Sequence, residues 1–73
     1  MSDKIEGRNP VTEALKSGRN IDKIYIKKGD KNGSIIPIIR MAKEKGIIIT
    51  ETDGRKLDEM SETGAHQGVI ALC

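Results

Sequence analysis

Short runs of apolar, mostly β-branched residues alternate along this chain with segments whose apolar residues recur at helical spacing. This alternation restricts the possible folds more than any other feature of the sequence. The predicted strands are residues 4–7, 24–26, 47–49 and 69–72, and one predicted helix lies in each of the three intervals between them. The order β-α-β-α-β-α-β is typical of an α/β sandwich whose sheet is largely parallel or mixed.

The predicted helices have residues that suit their ends. Asn9, Ser34 and Asp53 stand where an N-cap is expected, and Pro10 occupies the first position of the first helix, where an N–H group is not needed. Pro37 likewise falls in the first turn of the second helix. Gly18 and Gly46 are placed to end the first two helices. The residues predicted to face the core are Val11, Ala14 and Leu15, then Ile35, Ile38, Ile39 and Ala42, then Leu57 and Met60.

The predicted strands differ in apolar pattern. Ile24 and Ile26 alternate with polar neighbours, which indicates one inward face. The uninterrupted run 47–49 predicts a central strand covered on both faces. The last strand, residues 69–72, reaches almost to the final residue, which suggests a longer parent protein of which residues 1–73 are a single domain.

The chain has 73 residues, and one compact domain is the most that this length permits. Its charge is unevenly distributed. Residues 1–45 contain eleven Lys or Arg and six Asp or Glu, whereas residues 46–73 contain two and five. A basic first half can attract phosphates, although ordinary solvated surface charges would give the same distribution.

The sequence offers little for catalysis. One His and one Cys do not supply a metal-ligand cluster, and no nucleophile stands at a recognisable spacing from His66. Neither of the common glycine-rich phosphate loops is present, and Gly29–Gly33 is interpreted as a turn. A lone cysteine, Cys73, favours a reducing cytosol over the exterior, and no apolar run approaches the roughly 20 residues that span a bilayer. We therefore expect a cytoplasmic, non-membrane domain with no metal and no autonomous activity.

Two stretches carry residue types suited to binding. Gly7–Pro10 forms a strand-to-helix corner, where helix N–H groups and the charge of Arg8 could hold a phosphate. The alternative is that Asn9 only caps the helix. His66–Gly68 precedes the last strand and offers polar side chains. Here the alternative is that His66 and Gln67 tie the loop down through backbone hydrogen bonds.

Both stretches also carry a family resemblance. The residues Ile5, Gly7, Arg8, Asn9, Val11, Glu13, Ala14 and Leu15 match the opening pattern of the N-terminal substrate-binding domain of the SpoU (TrmH) family of RNA ribose methyltransferases. The closing pattern matches at His66, Gln67, Gly68, Val69 and Ala71. The chain resembles this domain from end to end.

The resemblance implies a fold and a function. The expected fold is a three-layer α/β/α sandwich around a mixed four-stranded sheet, similar to small ribosomal proteins that bind kinked RNA. The expected function is RNA recognition for a ribose 2′-O-methyltransferase that acts on ribosomal or transfer RNA, typically 23S rRNA. The resemblance places S-adenosylmethionine and all catalysis in a C-terminal knotted domain, which also forms a homodimer. No cofactor is expected in this chain.

The resemblance and the charges together give the candidate RNA-binding residues. Those expected to make the more specific contacts are Arg8, Asn9, His66 and Gln67, with Gly7 and Gly68 as further candidates beside them. Those expected to contact phosphates are Lys27, Lys28, Lys31 and Arg40. Two other functions stay open. The domain could dock on the catalytic domain as a protein-interaction or spacer unit, or it could be a free-standing kink-type RNA-binding protein.

Overall fold

The computed structural model of the protein describes residues 3–29 and 32–73. Its elements, in chain order, are β1 (Lys4–Glu6), α1 (Arg8–Lys16), β2 (Lys23–Lys27), α2 (Ile35–Glu44), β3 (Ile48–Thr52), α3 (Gly54–Met60) and β4 (Val69–Leu72). The predicted alternation of strands and helices is confirmed. No helix among the described residues has the length and apolar character that crossing a membrane requires.

The four strands form one mixed sheet in the order β1-β4-β2-β3. Strand β4 is antiparallel to both of its neighbours, whereas β2 and β3 are parallel. Strands β1, β2 and β3 therefore point in one direction, and each is followed by a helix. The three helices consequently begin at one end of the sheet, which we call the carboxyl end after the carboxyl ends of these strands. The other end is called the amino end.

The main core lies on one face of the sheet, under α1 and α2. It joins Val11 and Leu15 of α1 and Ile35 and Ile38 of α2 to Ile24 and Ile26 of β2. The opposite face is covered by α3, which packs against β2 and buries Leu57 completely. The side chains of Ile70 and Tyr25 are paired across β4 and β2 and alternate with the main-core residues, so they point to the α3 face. The predicted three-layer arrangement is confirmed.

The prediction that residues 47–49 form a central strand is wrong. Strand β3 spans Ile48–Thr52 and pairs only with β2, so it lies at an edge of the sheet. Ile47 and Ile49 pack against the main core, but Ile48 is 61% exposed. A run of β-branched residues indicates a strand, but it does not show which strands will lie beside it. The central strands are β4 and β2.

The predicted helix ends are confirmed in part. The carboxylate of Asp53 caps α3, accepting a hydrogen bond from the backbone N–H of Lys56 at 2.8 Å. Ser34 is the N-cap residue of α2, but its side chain makes no capping hydrogen bond. Gly18 and Gly46 follow the last turns of α1 and α2 with φ angles of 78° and 71°, as expected of C-terminal stops.

Candidate functional site

The corner between β1 and α1 is built around Gly7. This buried glycine is the N-cap of α1, with φ 100° and ψ 152°, a region that is essentially restricted to glycine. Its N–H donates to the carbonyl of Val69, and its carbonyl accepts from the N–H of Val11. A Cβ at this position would lie 3.4 Å from the side-chain oxygen of Gln67 and 3.5 Å from the carbonyl of Ala65. The corner and the loop before β4 are therefore in direct contact.

Helix α1 is capped by a residue from the other end of the chain. The side-chain oxygen Oε1 of Gln67 accepts a hydrogen bond from the backbone N–H of Arg8 at 2.9 Å, across 59 residues of sequence. The prediction that Asn9 caps this helix is wrong, because α1 begins one residue earlier and its N-cap, Gly7, has no side chain. Gln67 holds a positive φ of 53°, which is uncommon for a residue with a side chain.

The side chain of Arg8 joins three segments of the chain. Its Nε donates to the backbone carbonyl of Gln67 at 3.2 Å, and its Nη1 donates to the backbone carbonyl of Asn32 at 3.1 Å. The same Nη1 lies 3.4 Å from the hydroxyl of Ser34. The start of α1, the connection into α2 and the loop before β4 are thus held together by one guanidinium group.

The ring of His66 is engaged within the protein. Its Nδ1 accepts a hydrogen bond from the backbone N–H of Gly68 at 2.9 Å, and its Nε2 lies 2.7 Å from a carboxylate oxygen of Asp58. Because Nδ1 is an acceptor, the proton is on Nε2, which donates to Asp58. Only 13% of the His66 side chain is exposed. His66 therefore contacts the backbone of its own loop, as the alternative interpretation had it, and also links that loop to α3 through the side chain of Asp58.

Glu6 holds the loop between α3 and β4 and was not singled out from the sequence. Its carboxylate accepts hydrogen bonds from the hydroxyl of Ser61, from the N–H of Glu62 at 2.8 Å and from the hydroxyl of Thr63 at 3.0 Å. Burial alone would raise the pKa of Glu6, but these hydrogen bonds outweigh it and lower the pKa from 4.5 to about 2. More than 50 residues separate the partners, so no local pattern could have revealed them.

The structure brings only part of the predicted set together. Arg8, Asn9, Ser34 and Gln67 line one open cleft of about 450 Å³ at the carboxyl end of the sheet. Gly7, His66 and Gly68 belong to the same corner but do not line the cleft. Ser34 was predicted only as a helix cap; its place in the cleft follows from its contact with Arg8.

The predicted phosphate contacts are more scattered. Lys27 and Lys28 are exposed at the carboxyl end of β2, where the side chain of Lys27 lies over Gly54 at the start of α3. Arg40 is exposed on α2 and does not line the cleft. Lys31 lies outside the described residues. The described residues hold no group of three or more His, Cys, Asp or Glu that could bind a metal ion.

Comparison with known proteins assigns the chain to a family. The model of the family described as RNA 2′-O ribose methyltransferase substrate binding matches residues 4–73. A putative TrmH family tRNA/rRNA methyltransferase, YacO, from Bacillus subtilis (strain 168) is 41% identical over 69 residues, which are 94% of this chain and 27% of that protein.

Two further relatives match to a similar extent. A putative TrmH family tRNA/rRNA methyltransferase of Staphylococcus haemolyticus is 41% identical over 93% of this chain and 27% of its own length. A tRNA/rRNA methyltransferase of Mycolicibacterium gilvum is 38% identical over 89% of this chain and 21% of its own length. The chain spans about a quarter of the length of the curated relatives that it matches. It belongs to the family of substrate-binding domains of RNA 2′-O ribose methyltransferases.

Proposed function

We propose that this domain recognises structured RNA and holds it for the catalytic domain of an S-adenosylmethionine-dependent RNA 2′-O-methyltransferase. The observation that supports this most strongly is the convergence of the two family motifs. Residues 7–9 and residue 67, which stand at opposite ends of the sequence, meet at one corner and contribute three of the four side chains that line its cleft. Ribosomal RNA, specifically 23S rRNA, is the proposed substrate, and the cytosol is the proposed location.

The proposed RNA surface is the carboxyl end of the sheet. At the corner, Arg8, Asn9 and Gln67 line the cleft, and Gly7, His66 and Gly68 hold it in place. Lys27, Lys28 and Arg40 are the proposed phosphate contacts, together with Lys31, which lies outside the described residues. All three helices begin at this end, so their partial positive charges add to those of the lysines. Lys and Arg contacts to phosphate position an RNA without reading its sequence. The side chains of Asn9 and Gln67, which line the cleft, are suited to reading base edges.

Tethering explains how a domain without catalytic groups would assist catalysis. A linked binding module raises the effective concentration of its ligand near a second site without adding contacts there. In the proposed parent enzyme, a knotted C-terminal domain binds S-adenosylmethionine, transfers the methyl group and forms a homodimer. No residue of this chain takes part in binding that cofactor.

The salt dependence of RNA binding tests this proposal. Fluorescence anisotropy would measure the affinity of the chain for a labelled 23S rRNA stem-loop between 50 and 200 mM salt. A lysine that contacts phosphate releases counterions, so Lys28→Gln should weaken binding and reduce the slope of log K against log salt by about 0.7–0.9. Lys16→Gln is the matched control, because Lys16 is an exposed lysine at the end of α1 and lies near the amino end. Equal effects of the two substitutions, or no binding at 50 mM salt, would refute the proposal.

Docking on the catalytic domain is a second candidate function, and it requires an exposed apolar surface. Residues Val69–Ala71 of β4 are completely buried, so that strand offers no docking surface. The candidate surface is edge strand β3, where Ile48 is 61% exposed. Mixing the chain with the separately expressed catalytic domain would distinguish the two functions. Changes in the NMR signals of residues 48–52 without RNA, and no response to RNA, would favour docking.

A further inference from the structure

The guanidinium of Arg8, which the family motif marks as a candidate RNA contact, is hydrogen-bonded to other segments of the protein. Its Nε and Nη1 atoms donate to the carbonyls of Gln67 and Asn32 at 3.2 and 3.1 Å, and Nη1 also reaches the hydroxyl of Ser34. An RNA phosphate that took a bidentate hydrogen bond from this guanidinium would have to compete with these contacts. The residue is therefore poorly placed to be a simple phosphate ligand.

The contacts of Arg8 need the shape of a guanidinium as well as its charge. The group is planar and presents donors in fixed directions, whereas the ammonium group of lysine is a compact point charge. The acceptors belong to two segments, 32–34 and 67, that are far apart in the sequence. A single ammonium group would not reach all of them at once in good geometry.

Both segments that Arg8 holds contribute to the cleft. Gln67 caps α1 through Oε1, which leaves its amide N–H₂ group directed away from the Arg8 backbone. Ser34 also lines the cleft, and it follows the connection that carries Lys28. Loss of the guanidinium would therefore misplace these groups together, even with the net charge unchanged.

We propose that Arg8 is a positioning residue for RNA binding: its guanidinium fixes segments 32–34 and 66–68 in the arrangement that RNA contacts, and it does not itself bind a phosphate. This inference rests on the proposed function in RNA recognition. It assigns to Arg8 a role different from those of Lys27 and Lys28. The distinction is measurable, because positioning depends on the shape of the side chain and phosphate binding on its charge.

Two variants with opposite properties separate shape from charge. Arg8→Lys keeps the positive charge and loses the planar donors. Arg8→citrulline, introduced by chemical synthesis of the chain, loses the charge but keeps the Nε–H and one terminal N–H₂ group in a plane. Arg19→Lys is the matched control, because the guanidinium of Arg19 pairs with Asp3 near the amino end. The probe is the labelled 23S rRNA stem-loop, with anisotropy measured at several salt concentrations.

The positioning role predicts that Arg8→Lys weakens RNA binding about tenfold at fixed salt, with the salt slope unchanged. It predicts that the citrulline variant binds within about threefold of wild type, also with an unchanged slope. A phosphate contact predicts the reverse: near-normal binding by the lysine variant, and for citrulline a loss of affinity with a slope lower by about 0.7–0.9. That reverse pattern would overturn the inference.

Thermal unfolding of each variant controls for loss of structure. If Arg8→Lys does not fold at the assay temperature, the citrulline result alone decides, since near-normal affinity with an unchanged slope excludes a phosphate contact. Failure of the inference is also distinct from failure of the proposed function. In the first case wild-type protein binds RNA and the two variants show the reverse pattern; in the second, wild-type protein does not bind the stem-loop at all.

Discussion

The two ends of the sheet are held together in different ways. At the amino end, the chain turns through glycines and local backbone hydrogen bonds: Gly18 and Gly46 follow α1 and α2, and the N–H of Ile47 donates to the carbonyl of Ala42. At the carboxyl end, side chains from distant segments hold the loops, as Gln67 caps α1 and Arg8 reaches the connection into α2. The turns after α1 and α2 are thus closed by local backbone hydrogen bonds, whereas the loops at the carboxyl end are held by side chains that meet at one corner.

This difference accords with a functional role for the carboxyl end. Ligands of open α/β folds commonly bind beyond the carboxyl ends of the parallel strands, where the loops are long enough to carry binding groups. Such loops require support from the rest of the structure, because polar side chains on an unsupported loop would lose much of their binding energy to ordering. The hydrogen bonds of Glu6, Arg8, Gln67 and His66 supply that support here.

Replacing the glycine at each end should show the largest contrast. Gly7→Ala forces a side chain into a backbone conformation that is essentially restricted to glycine, and we expect the free energy of unfolding to fall by about 3 kcal/mol. Gly18→Ala is the matched control, since a Cβ there meets no atom within 4 Å and only the left-handed backbone is penalised, by about 1 kcal/mol. Urea unfolding measures both changes. Equal losses would show that the corner is no more constrained than a plain helix stop.

Removing the long-range cap should have the next largest effect. Gln67→Ala leaves the backbone N–H of Arg8 without its acceptor, and loss of a helix cap costs about 1–2 kcal/mol. Asn20→Ala, at an exposed amide near the amino end, should change the free energy of unfolding by less than about 0.5 kcal/mol. Urea unfolding and the NMR signal of the Arg8 amide would report the change. An unmoved Arg8 amide signal in Gln67→Ala would contradict the cap.

Glu6 makes the stability of the loop between α3 and β4 depend on pH. Its pKa is about 2 in the folded protein and 4.5 in the unfolded reference, so its stabilising effect is fully present above pH 4.5 and is lost as the pH falls towards 2. Glu6→Gln should lower the free energy of unfolding by about 1 kcal/mol at pH 7, since the hydrogen bonds lie at the surface and are partly screened by solvent.

The free energies of unfolding of Glu6→Gln and wild type should also differ less at pH 2.5 than at pH 7. At pH 2.5 the wild-type protein has lost part of the stabilisation that the Glu6 carboxylate provides. Glu13→Gln is the control, as Glu13 is exposed on α1. Urea unfolding at the two pH values measures the effect. A difference between Glu6→Gln and wild type that does not change with pH would argue against the hydrogen-bonded carboxylate.

The surface ion pair at the amino end should contribute least. The guanidinium of Arg19 lies 3.1 Å from the carboxylate of Asp3, with side chains 47% and 71% exposed. Exposed pairs of this kind contribute about 0.2–1 kcal/mol, and salt weakens them further. We expect Asp3→Asn to reduce the free energy of unfolding by less than about 0.5 kcal/mol at 50 mM salt and by nothing measurable at 500 mM. A loss above 1 kcal/mol would show that side chains also hold the amino end.

The same contrast explains what the sequence could predict. Element order and three of the helix ends, those at Gly18, Gly46 and Asp53, follow from local spacing and residue type, and these predictions are confirmed. The cap on α1 and the anchoring of the loop by Glu6 depend on residues more than 50 positions away, which local patterns do not encode. The edge position of β3 was missed for a related reason, since strand order is set by pairing between distant segments.

Mapping RNA contacts on the chain by NMR tests the central claim most directly. Titration of ¹⁵N-labelled protein with the 23S rRNA stem-loop should perturb the amide signals of residues 7–10, 27–28, 32–34 and 66–68 at the carboxyl end. The amide signals of residues 17–22 and 45–47 at the amino end should not shift. Perturbations concentrated at the amino end or along β3, with the corner unchanged, would contradict the account.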